Sequence, residues 1–438
     1  MFFTDAVFLF YFFPAAMVAH RLALGRYCGG TFSAPARIVL FLATLVFYGW
    51  SHHWWLLPFL GSVLLDYAWA TMLLRSRTPQ LRRALVSLSV LQNLALLAYF
   101  KYSSSIALPV GISFYTFESL SFVIDVYRGK IKELGFSSFL GFIGMFPRFV
   151  AGPITRYSDI ARQFQNYGGM ELEKGLTLFF RGLFLKVVFA DHFAIFTPYA
   201  FEPLLAQSRL AVCVGVSAYA MQIYFDFSGY SLMAIGLGQC LGFSFPGNFD
   251  RPYLATSLTD YWRRWHQSLS FWLRDYVYIS LGGNRHGRVR TAVNVFITML
   301  LGGMWHGPGW TFIAWGCWHG LFLCLEKFAP GGVFKGGMTS RIKVLGVAWL
   351  GWVLFRANTL RQAAGIYNVL LFGGSVSLQP ELLKGHVVGL LAAAAGIIYC
   401  FFMENCFASS RAFAAVLGFV ALIFLFSSQQ IQFIYFRF

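Results

Sequence analysis

The sequence places a histidine where an apolar segment is interrupted. The stretch LGGMWHGPGW, residues 301–310, carries His306 directly before a Gly-Pro-Gly turn. An ionisable side chain costs about 2.5–3.5 kcal/mol at the centre of a membrane on insertion scales, so it is a candidate functional residue by default. Imidazole titrates near neutral pH and can accept or donate a proton. His306 is therefore the first candidate for proton-transfer chemistry.

The segment before this histidine is predicted to end inside the membrane. Residues 292–305 would form a helix of about 21 Å, too short to cross a hydrocarbon core of about 30 Å. Pro308 lacks a backbone N–H, and non-helical backbone at membrane depth is tolerated only beside protein or a water-filled cavity. The sequence therefore predicts that His306 faces an internal cavity from a helix end.

A second histidine lies in the aromatic and basic stretch LTDYWRRWHQSLSFWLRDY, residues 258–276. Spacings of three and four predict one amphipathic helix with two stripes. The aromatic stripe is Leu258, Trp262, Trp265, Leu269, Trp272 and Tyr276, and the polar stripe is Thr259, Arg263, His266 and Ser270. Such a helix lies at the interface or dips beside a polar cavity. Asp260 is predicted to pair with Arg264, four residues on.

Each further histidine has a structural interpretation beside the functional one. His266 can belong to an interfacial anchor, although an anchor needs no imidazole beside Arg263. His319, in a second Trp-His-Gly triplet, can be a core histidine bonded to a neighbouring helix. Composition does not rank the two triplets, but the adjacent helix break favours His306.

Polar groups elsewhere in apolar stretches are further candidates. Arg148 lies between two prolines, whose spacing predicts a broken, re-entrant piece. Asp226 lies among aromatic residues and needs a partner, usually an arginine or a histidine N–H. It can orient a catalytic imidazole or hold helices together. Asn248 follows shortly after it, and the basic turn at 281–288 is predicted to be a solvated loop, with phosphate contact as the alternative.

The composition is that of an integral membrane protein. Of 438 residues, 58% are hydrophobic and only 12% are charged, so the chain cannot build a water-soluble surface. The formal charge of +17 comes from short basic clusters between apolar stretches, which indicate cytoplasmic membrane flanks rather than nucleic-acid binding. These clusters follow the odd-numbered apolar segments, and the positive-inside rule therefore predicts an N-terminus outside.

The chain is predicted to be one all-α polytopic membrane domain, residues 1–438. About eleven spanning helices are expected, with re-entrant and interfacial helices between them. We expect N-terminal helices at 1–135, a catalytic core at 136–330 and C-terminal helices at 331–438. The seven cysteines show no C-x-x-C spacing, so neither a disulfide nor a zinc site is implied.

Together these stretches resemble the membrane-bound O-acyltransferase family, most closely its bacterial branch of alginate O-acetyltransferases and D-alanyl transfer proteins. The matching pieces are PVGISFYTF (109–117), MFPRFVAGPITR (145–156), YFDFSGYS (224–231), NFDRPY (248–253), YWRRWHQSLSFWLRDYVYISLGGNR (261–285), GGMWHG (302–307), WGCWHG (315–320) and FIYFRF (433–438). They run over nearly the full length, and the WRRWH and WHG motifs in this order are highly specific. The opening FFTDAVFLFYFFP is more similar to the alginate-acetylating members.

The resemblance implies a polytopic helical fold around a central tunnel that joins the two membrane faces. It also implies that the WHG histidine, His306, is catalytic and that His266 occupies the family's second motif position. We predict a substrate site around these two histidines that also includes Trp305, Trp265, Arg263, Arg264, Asp226, Asn248, Arg148 and His319. No bound cofactor or metal is expected.

The activity implied is O-acylation. As general base, His306 would deprotonate the acceptor hydroxyl, a contribution of about 10²–10⁴-fold. His266, with a nearby Trp N–H or Arg263, would stabilise the thioester oxygen. The donor is expected on the cytoplasmic side of a bacterial inner membrane, as acetyl-coenzyme A or an acylated carrier protein. The acceptor is expected on the far side, as an exopolysaccharide such as alginate or as a periplasmic acetyltransferase partner.

Other interpretations stay open. The acyl group can be D-alanyl, moved from a carrier protein to a cell-wall polymer. The buried His, Asp and Arg can instead be relay groups of an acyl or saccharide transporter, although no inverted repeat is apparent. His266, His306 and His319 can supply zinc ligands of a hydrolase, but no nearby Glu or Cys completes the set. A ping-pong acyl-enzyme competes with direct transfer.

Overall fold

The computed structural model shows a helical protein. It describes residues 1–25, 30–50, 52–103, 108–109, 111–149, 152–202, 205, 208–328, 336–373, 387–400 and 411–427. Within these residues there is no β-strand, and the all-α prediction is confirmed. The closing motif at 433–438, together with Cys28 and Cys406, lies outside the described residues.

The helices follow the apolar segments of the sequence. The first nine are α1 (Phe13–Leu24), α2 (Ala34–Gly49), α3 (Leu56–Arg75), α4 (Pro79–Tyr102), α5 (Ile112–Tyr127), α6 (Phe136–Ile143), α7 (Phe146–Phe149), α8 (Tyr157–Gln165) and α9 (Leu172–Phe184). They are followed by α10 (Asp191–Phe196), α11 (Pro198–Phe201), α12 (Arg209–Cys240), α13 (Leu258–Arg264), α14 (Gln267–Leu273), α15 (Gly287–His306), α16 (Trp310–Phe328), α17 (Gly337–Arg356), α18 (Leu360–Phe372), α19 (Val387–Ile398) and α20 (Arg411–Ser427). A π-helical turn at Arg274–Tyr278 extends α14.

Side-chain caps fix where several helices begin. The Ser257 hydroxyl accepts a hydrogen bond from the Asp260 backbone N–H at 3.0 Å and starts α13. The Thr359 hydroxyl does the same for the Gln362 N–H at 3.1 Å and starts α18. Each cap satisfies one of the backbone donors that the first turn of a helix leaves without an internal acceptor.

Part of the helical chain has the length and composition of membrane spans. Within the described residues, four stretches qualify: His53–Arg75, Pro79–Tyr102, Arg209–Cys240 and Gly337–Arg356. Shorter apolar helices are Phe8–Leu24, Ala34–Gly49, Gly389–Ile398 and Ala415–Phe426. Large apolar side chains on the spans stay exposed, such as Leu57 at 75% and Leu91 at 65%, and lipid is the solvent such a surface requires. The protein is multi-pass, while the number of about eleven spans stays a prediction.

The described residues form two compact units. The first contains residues 1–179 and 231–247, and the second contains 180–230 and 248–438. In the first unit, Asp66 of α3 accepts a hydrogen bond from Asn93 of α4 at 2.7 Å, which ties these two spans together through polar groups. The predicted boundaries after residues 135 and 330 stay a prediction.

In the second unit, α15 and α16 form an antiparallel hairpin. They are joined by only three residues, and their backbones meet at two glycines. A Cβ on Gly316 would lie 2.6 Å from the Met299 carbonyl oxygen, and a Cβ on Gly303 would overlap the Phe312 carbonyl oxygen. Small residues at such positions allow helices in a membrane to approach closely. The contact therefore holds α15 in a fixed register against α16.

The length predicted for α15 was wrong, and its end was right. The helix begins at Gly287 rather than Ala292, so its 20 residues extend for about 30 Å. The additional turn contains Arg288 and Arg290, which an apolar pattern leaves out. The helix ends at His306, and Gly307 continues it as extended backbone. The break before Pro308 is confirmed.

Candidate active site

A cavity of about 470 Å³ lies within the second unit, and His306 lines it. Its walls come from α13, α14 and the π-helical turn on one side and from α15 and α16 on the other. The α15 side consists of Val295, Thr298, Met299, Gly302 and His306, spaced as one face of a helix. These residues cover eleven helical steps, so the cavity follows α15 for about 16 Å.

The cavity has a buried end and an exposed end. His306 and Trp315 are both buried, with 5% and 2% of their surface exposed, and their ring centroids are 5.1 Å apart at 86°. On α16, Trp315 is twelve residues from Lys327, which is about 18 Å of helix. Lys327 is exposed, as is Arg274, another residue that lines the cavity. His306 therefore lies at the inner end of a passage whose opening is cationic.

The cations at the opening are held by aromatic and acidic neighbours. The Lys327 ammonium lies 5.7 Å from the ring centre of Tyr278, and the Arg274 guanidinium lies 4.9 Å from that of Phe271. Arg274 also pairs with Asp275 at 2.6 Å. Together with Arg263, which is exposed on the same wall, these groups suit an anionic ligand such as a phosphate.

The predicted single helix over residues 258–276 is wrong, because the chain breaks in its middle. α13 ends at Arg264, Trp265 is extended, and α14 begins at Gln267. Between them His266 has φ +42° and ψ +56°, a left-handed backbone conformation that residues other than glycine rarely adopt. Strain of this kind persists only where the surrounding structure imposes it.

Asn248 imposes the break. Its side-chain oxygen lies 3.1 Å from His266 Nδ1 and accepts hydrogen bonds from the Ser268 N–H at 3.2 Å and the Ser268 hydroxyl at 3.0 Å. The Asn248 carbonyl also accepts from the Gln267 N–H at 2.9 Å. These contacts replace the hydrogen bonds that a continuous helix would make at this point.

His266 lies behind the cavity rather than on its wall. Burial lowers the pKa of His266 to about 3, so the ring is neutral. Its centroid lies 4.6 Å from that of Phe227 and 6.4 Å from that of Trp305, the residue before His306. His266 is not among the residues that line the cavity. The direct contact of His266 with the thioester stays a prediction. The geometry suits a role in which His266 positions Trp305 and stabilises the break between α13 and α14.

The left-handed conformation gives a test of how strongly the break is imposed. Glycine adopts this conformation without penalty, whereas alanine meets the steric cost that His266 now meets. We expect His266→Gly to be more stable than His266→Ala by about 1 kcal/mol. Thermal unfolding of the purified variants measures the difference. Equal stabilities, or a more stable alanine variant, would show that the backbone relaxes to a helix once the imidazole is removed.

His319 also contacts Trp315 but lies outside the cavity. Its ring centroid is 5.0 Å from that of Trp315 and 5.1 Å from that of Trp262, and the residue does not line the cavity. A Cβ on Gly351 of α17 would lie 2.7 Å from His319 Nε2, so the ring is packed against that helix. This placement agrees with the core interpretation of His319, and its role in the site stays a prediction.

Three further predicted site residues of this region occupy different places. Arg263 lines the cavity. Arg264 instead pairs with Asp260 at 2.8 Å, as predicted, and with Asp250 at 3.4 Å. Trp265 is buried away from the cavity, with its centroid 4.8 Å from that of Trp352. Of these three, the structure places only Arg263 where it can touch a ligand in the cavity.

Asp226 has a partner that the sequence did not indicate. The Lys186 ammonium lies 3.0 Å from Asp226 and 2.6 Å from Asp191, and all three side chains are buried in the second unit. The expected arginine or histidine partner is thus replaced by a lysine from the π-helical turn at Leu185–Ala190. Asp226 does not line the cavity, and its ion pair suits the alternative of holding helices together.

Arg148 belongs to the first unit. Its guanidinium is buried and donates hydrogen bonds to Glu118, to the Thr155 hydroxyl and to the Phe142 carbonyl. The predicted break around it is confirmed for the described residues, because α7 ends at Phe149 and residues 152–156 are not helical. Its hydrogen bonds indicate that Arg148 holds this broken piece in place.

Several cavity residues were missed from the sequence. Lys327 follows an apolar stretch, and Arg274 lies in the aromatic and basic stretch at 258–276; at both places a cation is usually only a membrane flank. Glu326 accepts hydrogen bonds from the Leu258 and Thr259 N–H groups at 2.6 and 3.2 Å and thereby caps α13 from α16. For Glu326 the sequence did offer a signal, because an acidic residue next to an apolar run is uncommon and indicates that its carboxylate has a partner.

The chain is similar to known membrane acyltransferases. The model of the membrane-bound O-acyltransferase family matches residues 30–352. The chain is 39% identical over 427 residues to the probable alginate O-acetylase AlgI of Pseudomonas aeruginosa, over 89% of this chain and 78% of that protein. It is 32% identical over 433 residues to the peptidoglycan O-acetyltransferase of Helicobacter pylori, over 86% and 81% respectively.

A third relative shares a shorter region. The teichoic acid D-alanyltransferase of Bacillus subtilis is 31% identical over 234 residues, which cover 50% of this chain and 59% of that protein. The family match takes in every residue that lines the cavity. The protein is a multi-pass membrane acyltransferase, and it belongs to the membrane-bound O-acyltransferase family.

Proposed function

We propose that the protein moves an acetyl group from a cytoplasmic thioester to a hydroxyl on the far side of a bacterial inner membrane. The observation that carries the proposal is the placement of His306 at the buried end of a cavity that follows α15 for about 16 Å and whose exposed lining residues include Lys327 and Arg274. The opening suits the phosphate of a long thioester donor, and the passage suits its extended arm. By the positive-inside rule the cationic opening faces the cytoplasm, and the N-terminus is outside.

In this mechanism His306 acts as general base. An imidazole nitrogen takes the proton of the acceptor hydroxyl as its oxygen attacks the thioester carbonyl carbon. The carbonyl π electrons move to oxygen and form a tetrahedral oxyanion. When the C=O bond re-forms, the C–S bond breaks, and the imidazolium returns the proton to the thiolate. The acyl group passes directly to the acceptor, without a serine or cysteine acyl-enzyme.

The acceptor class is proposed from the relatives. AlgI is named a probable alginate O-acetylase and the Helicobacter protein a peptidoglycan O-acetyltransferase, so both names refer to an extracytoplasmic polymer. We propose a hydroxyl of such a polysaccharide, such as alginate, or of a periplasmic partner protein that hands the group on. D-Alanyl transfer from a carrier protein is less well supported, because the D-alanyltransferase match covers only half of the chain.

The test uses protein in detergent with acetyl-labelled donors. Acetyl-coenzyme A and an acetylated carrier protein are compared for loss of the thioester, with His306→Gln as the matched inactive control. Turnover that needs His306 with either donor supports the proposal and identifies the donor. The reconstituted protein could instead carry labelled donor or saccharide across the vesicle membrane, with the acyl bond of the labelled compound intact and without turnover that depends on His306. That result would identify the protein as a transporter. A stable acylated form of the chain would replace direct transfer with an acyl-enzyme.

The cationic opening gives a separate prediction. In Arg274→Gln/Lys327→Gln, we expect the KM for a phosphate-bearing thioester to rise about tenfold for each well-placed charge that is lost, with little change in kcat, because these groups bind the donor far from the reacting carbon. The effect should shrink at high salt. Arg341→Gln is the control, since Arg341 is an exposed cation that does not line the cavity. An equal KM for the double variant and the wild type would show that the donor's phosphates do not bind at these cations.

A further inference from the structure

One buried carboxylate of the first unit has no cationic side chain beside it. Asp66 of α3 is fully buried, and among the described residues no lysine, arginine or histidine pairs with it. The other four buried carboxylates that the structure describes are all paired: Glu118 with Arg148, Asp125 with Lys130, and Asp191 and Asp226 with Lys186. An isolated charge in an apolar interior is strongly unfavourable. Asp66 therefore needs either a bound cation or a proton.

The groups around this carboxyl are neutral and come from three helices. The Ser62 hydroxyl of α3 lies 3.5 Å from Asp66 Oδ2, and the Ser89 hydroxyl of α4 lies 3.4 Å from Oδ1. The Ser119 hydroxyl of α5 interacts with the same carboxyl but makes no hydrogen bond of normal geometry among the described residues. The Asn93 amide donates to Oδ1 at 2.7 Å and fixes the orientation of the carboxyl. All of these side chains are buried, so their oxygens surround Asp66 away from bulk solvent.

The distances between these oxygens favour a metal ion over a proton. A hydrogen bond between two oxygens spans about 2.5–3.0 Å, so hydroxyls at 3.4 and 3.5 Å are poorly placed to accept a proton from Asp66. Ca²⁺ holds oxygen ligands at about 2.3–2.6 Å, and Na⁺ has nearly the same radius. Two such ligands at a right angle are about 3.3–3.7 Å apart. The observed separations therefore match oxygens that share one ion of this size.

We infer that Asp66, with the hydroxyls of Ser62, Ser89 and Ser119, binds one Na⁺ ion between α3, α4 and α5. A single carboxylate among neutral oxygens balances one positive charge, whereas a divalent ion of the same size would leave a net charge in the apolar interior. The ion would join α3 and α4, which have the length and composition of membrane spans, to α5. The expectation of no bound metal came from cysteine and histidine patterns, which do not bear on an alkali-metal ion.

The experiment measures thermal unfolding and Na⁺ binding of the full chain in detergent. The protein is purified in NaCl, in KCl or in choline chloride at equal ionic strength, because a buried ion exchanges only when its site opens. We expect the Tm to rise by about 3–5 °C for each tenfold increase in Na⁺ above the dissociation constant, with no such rise in K⁺ or choline. Equilibrium binding of radioactive Na⁺ should saturate at about one ion per chain.

Variants test whether Asp66 holds the ion. Asp66→Asn keeps the shape of the side chain but removes its charge, so its Tm should not respond to Na⁺ and in KCl should be at least that of the wild type. Ser89→Ala/Ser119→Ala keeps the charge and should need at least about tenfold more Na⁺ for half of the stabilisation. Asp125→Asn is the matched control, because Asp125 is a buried carboxylate of the same unit that pairs with Lys130. It should keep the Na⁺ response even where its Tm is lower.

Three results would overturn the assignment. Equal Tm values in NaCl and KCl, without saturable Na⁺ binding, would show that no Na⁺ site exists. A Na⁺ response that Asp66→Asn retains in full would place the ion elsewhere in the chain. A Tm that rises on acidification but not with Na⁺ would show that Asp66 holds a proton. If Asp66→Asn does not fold, Na⁺ binding by Ser89→Ala/Ser119→Ala decides, and unchanged affinity overturns the site. Acetyl transfer is not measured, so the proposed function and the Na⁺ site fail or stand separately.

Discussion

Replacing His306 by glutamine is expected to reduce acetyl transfer by about 10²–10⁴-fold while the protein still inserts into the membrane and purifies normally. Glutamine keeps a polar side chain of similar reach at the end of α15 but cannot take up a proton at working pH. Since the ring is at the buried end of the cavity, against Trp315 and 4.9 Å from the ring centre of Phe355, its loss should affect chemistry more than donor binding. The expected signature is a lower kcat with KM nearly unchanged.

His319→Gln is the matched control, because both histidines contact Trp315 but only His306 lines the cavity. We expect it to lower stability more than turnover per folded molecule, since its ring is packed against α17 at Gly351. If His306→Gln keeps near wild-type turnover and His319→Gln loses it, the two triplets have been assigned the wrong way round. Thermal unfolding of both variants separates loss of catalysis from loss of fold.

Arg148→Met is expected to destabilise the first unit by about 3–5 kcal/mol, because it leaves the Glu118 carboxylate buried without its cation. Methionine keeps much of the apolar stem, so the loss reports mainly on charge and hydrogen bonds. Glu118→Gln/Arg148→Met should recover part of this stability, since no isolated charge remains. Thermal unfolding in detergent, followed by size-exclusion chromatography, measures the series.

The matched surface pair is Arg162 with Asp159, in which the arginine side chain is 73% exposed. Arg162→Met should change stability by less than about 1 kcal/mol, because exposed ion pairs contribute little. A substrate role for Arg148, as the sequence predicted, would give a raised KM with unchanged thermal stability. That result would contradict the structural role that its hydrogen bonds indicate.

The helix positions could be predicted from the sequence because apolar runs and helix breakers act locally. Pro308 and its flanking glycines end α15 whatever surrounds them, and the chain ends the helix at His306 as expected. The start of α15 was missed for the same reason, since a hydropathy pattern counts apolar residues and does not include the basic first turn. Local signals thus located the candidate catalytic histidine.

The break at His266 could not be read from spacing. The residues of α13 and α14 keep a helical repeat on both sides of the break, so the periodicity continues through a point where the helix does not. The deciding hydrogen bonds come from Asn248, eighteen residues away along the chain. A contact that depends on tertiary structure leaves no trace in a three-to-four repeat.

The partners of buried charges were likewise beyond the sequence. Asp226 meets Lys186, forty residues earlier, and Arg148 meets Glu118, thirty residues earlier. The sequence could show that each charge needs a partner but could not choose among the available ones. The cavity wall also depends on tertiary structure and could not be predicted from the sequence, because Trp262 and Trp315 become neighbours only when α13 packs on α16.

The position of His306 as the final residue of α15 has an electrostatic consequence. Backbone carbonyls without intrahelical partners gather at the carboxyl end of a helix and give it about half a negative charge. An imidazole there gains attraction as it becomes a cation, typically about 0.3–1 kcal/mol and more when shielded from water. The macrodipole of α15 thus stabilises the His306 imidazolium that forms when the acceptor hydroxyl gives up its proton. In many other enzymes a carboxylate beside the histidine stabilises that cation, and here the backbone carbonyls of α15 do so.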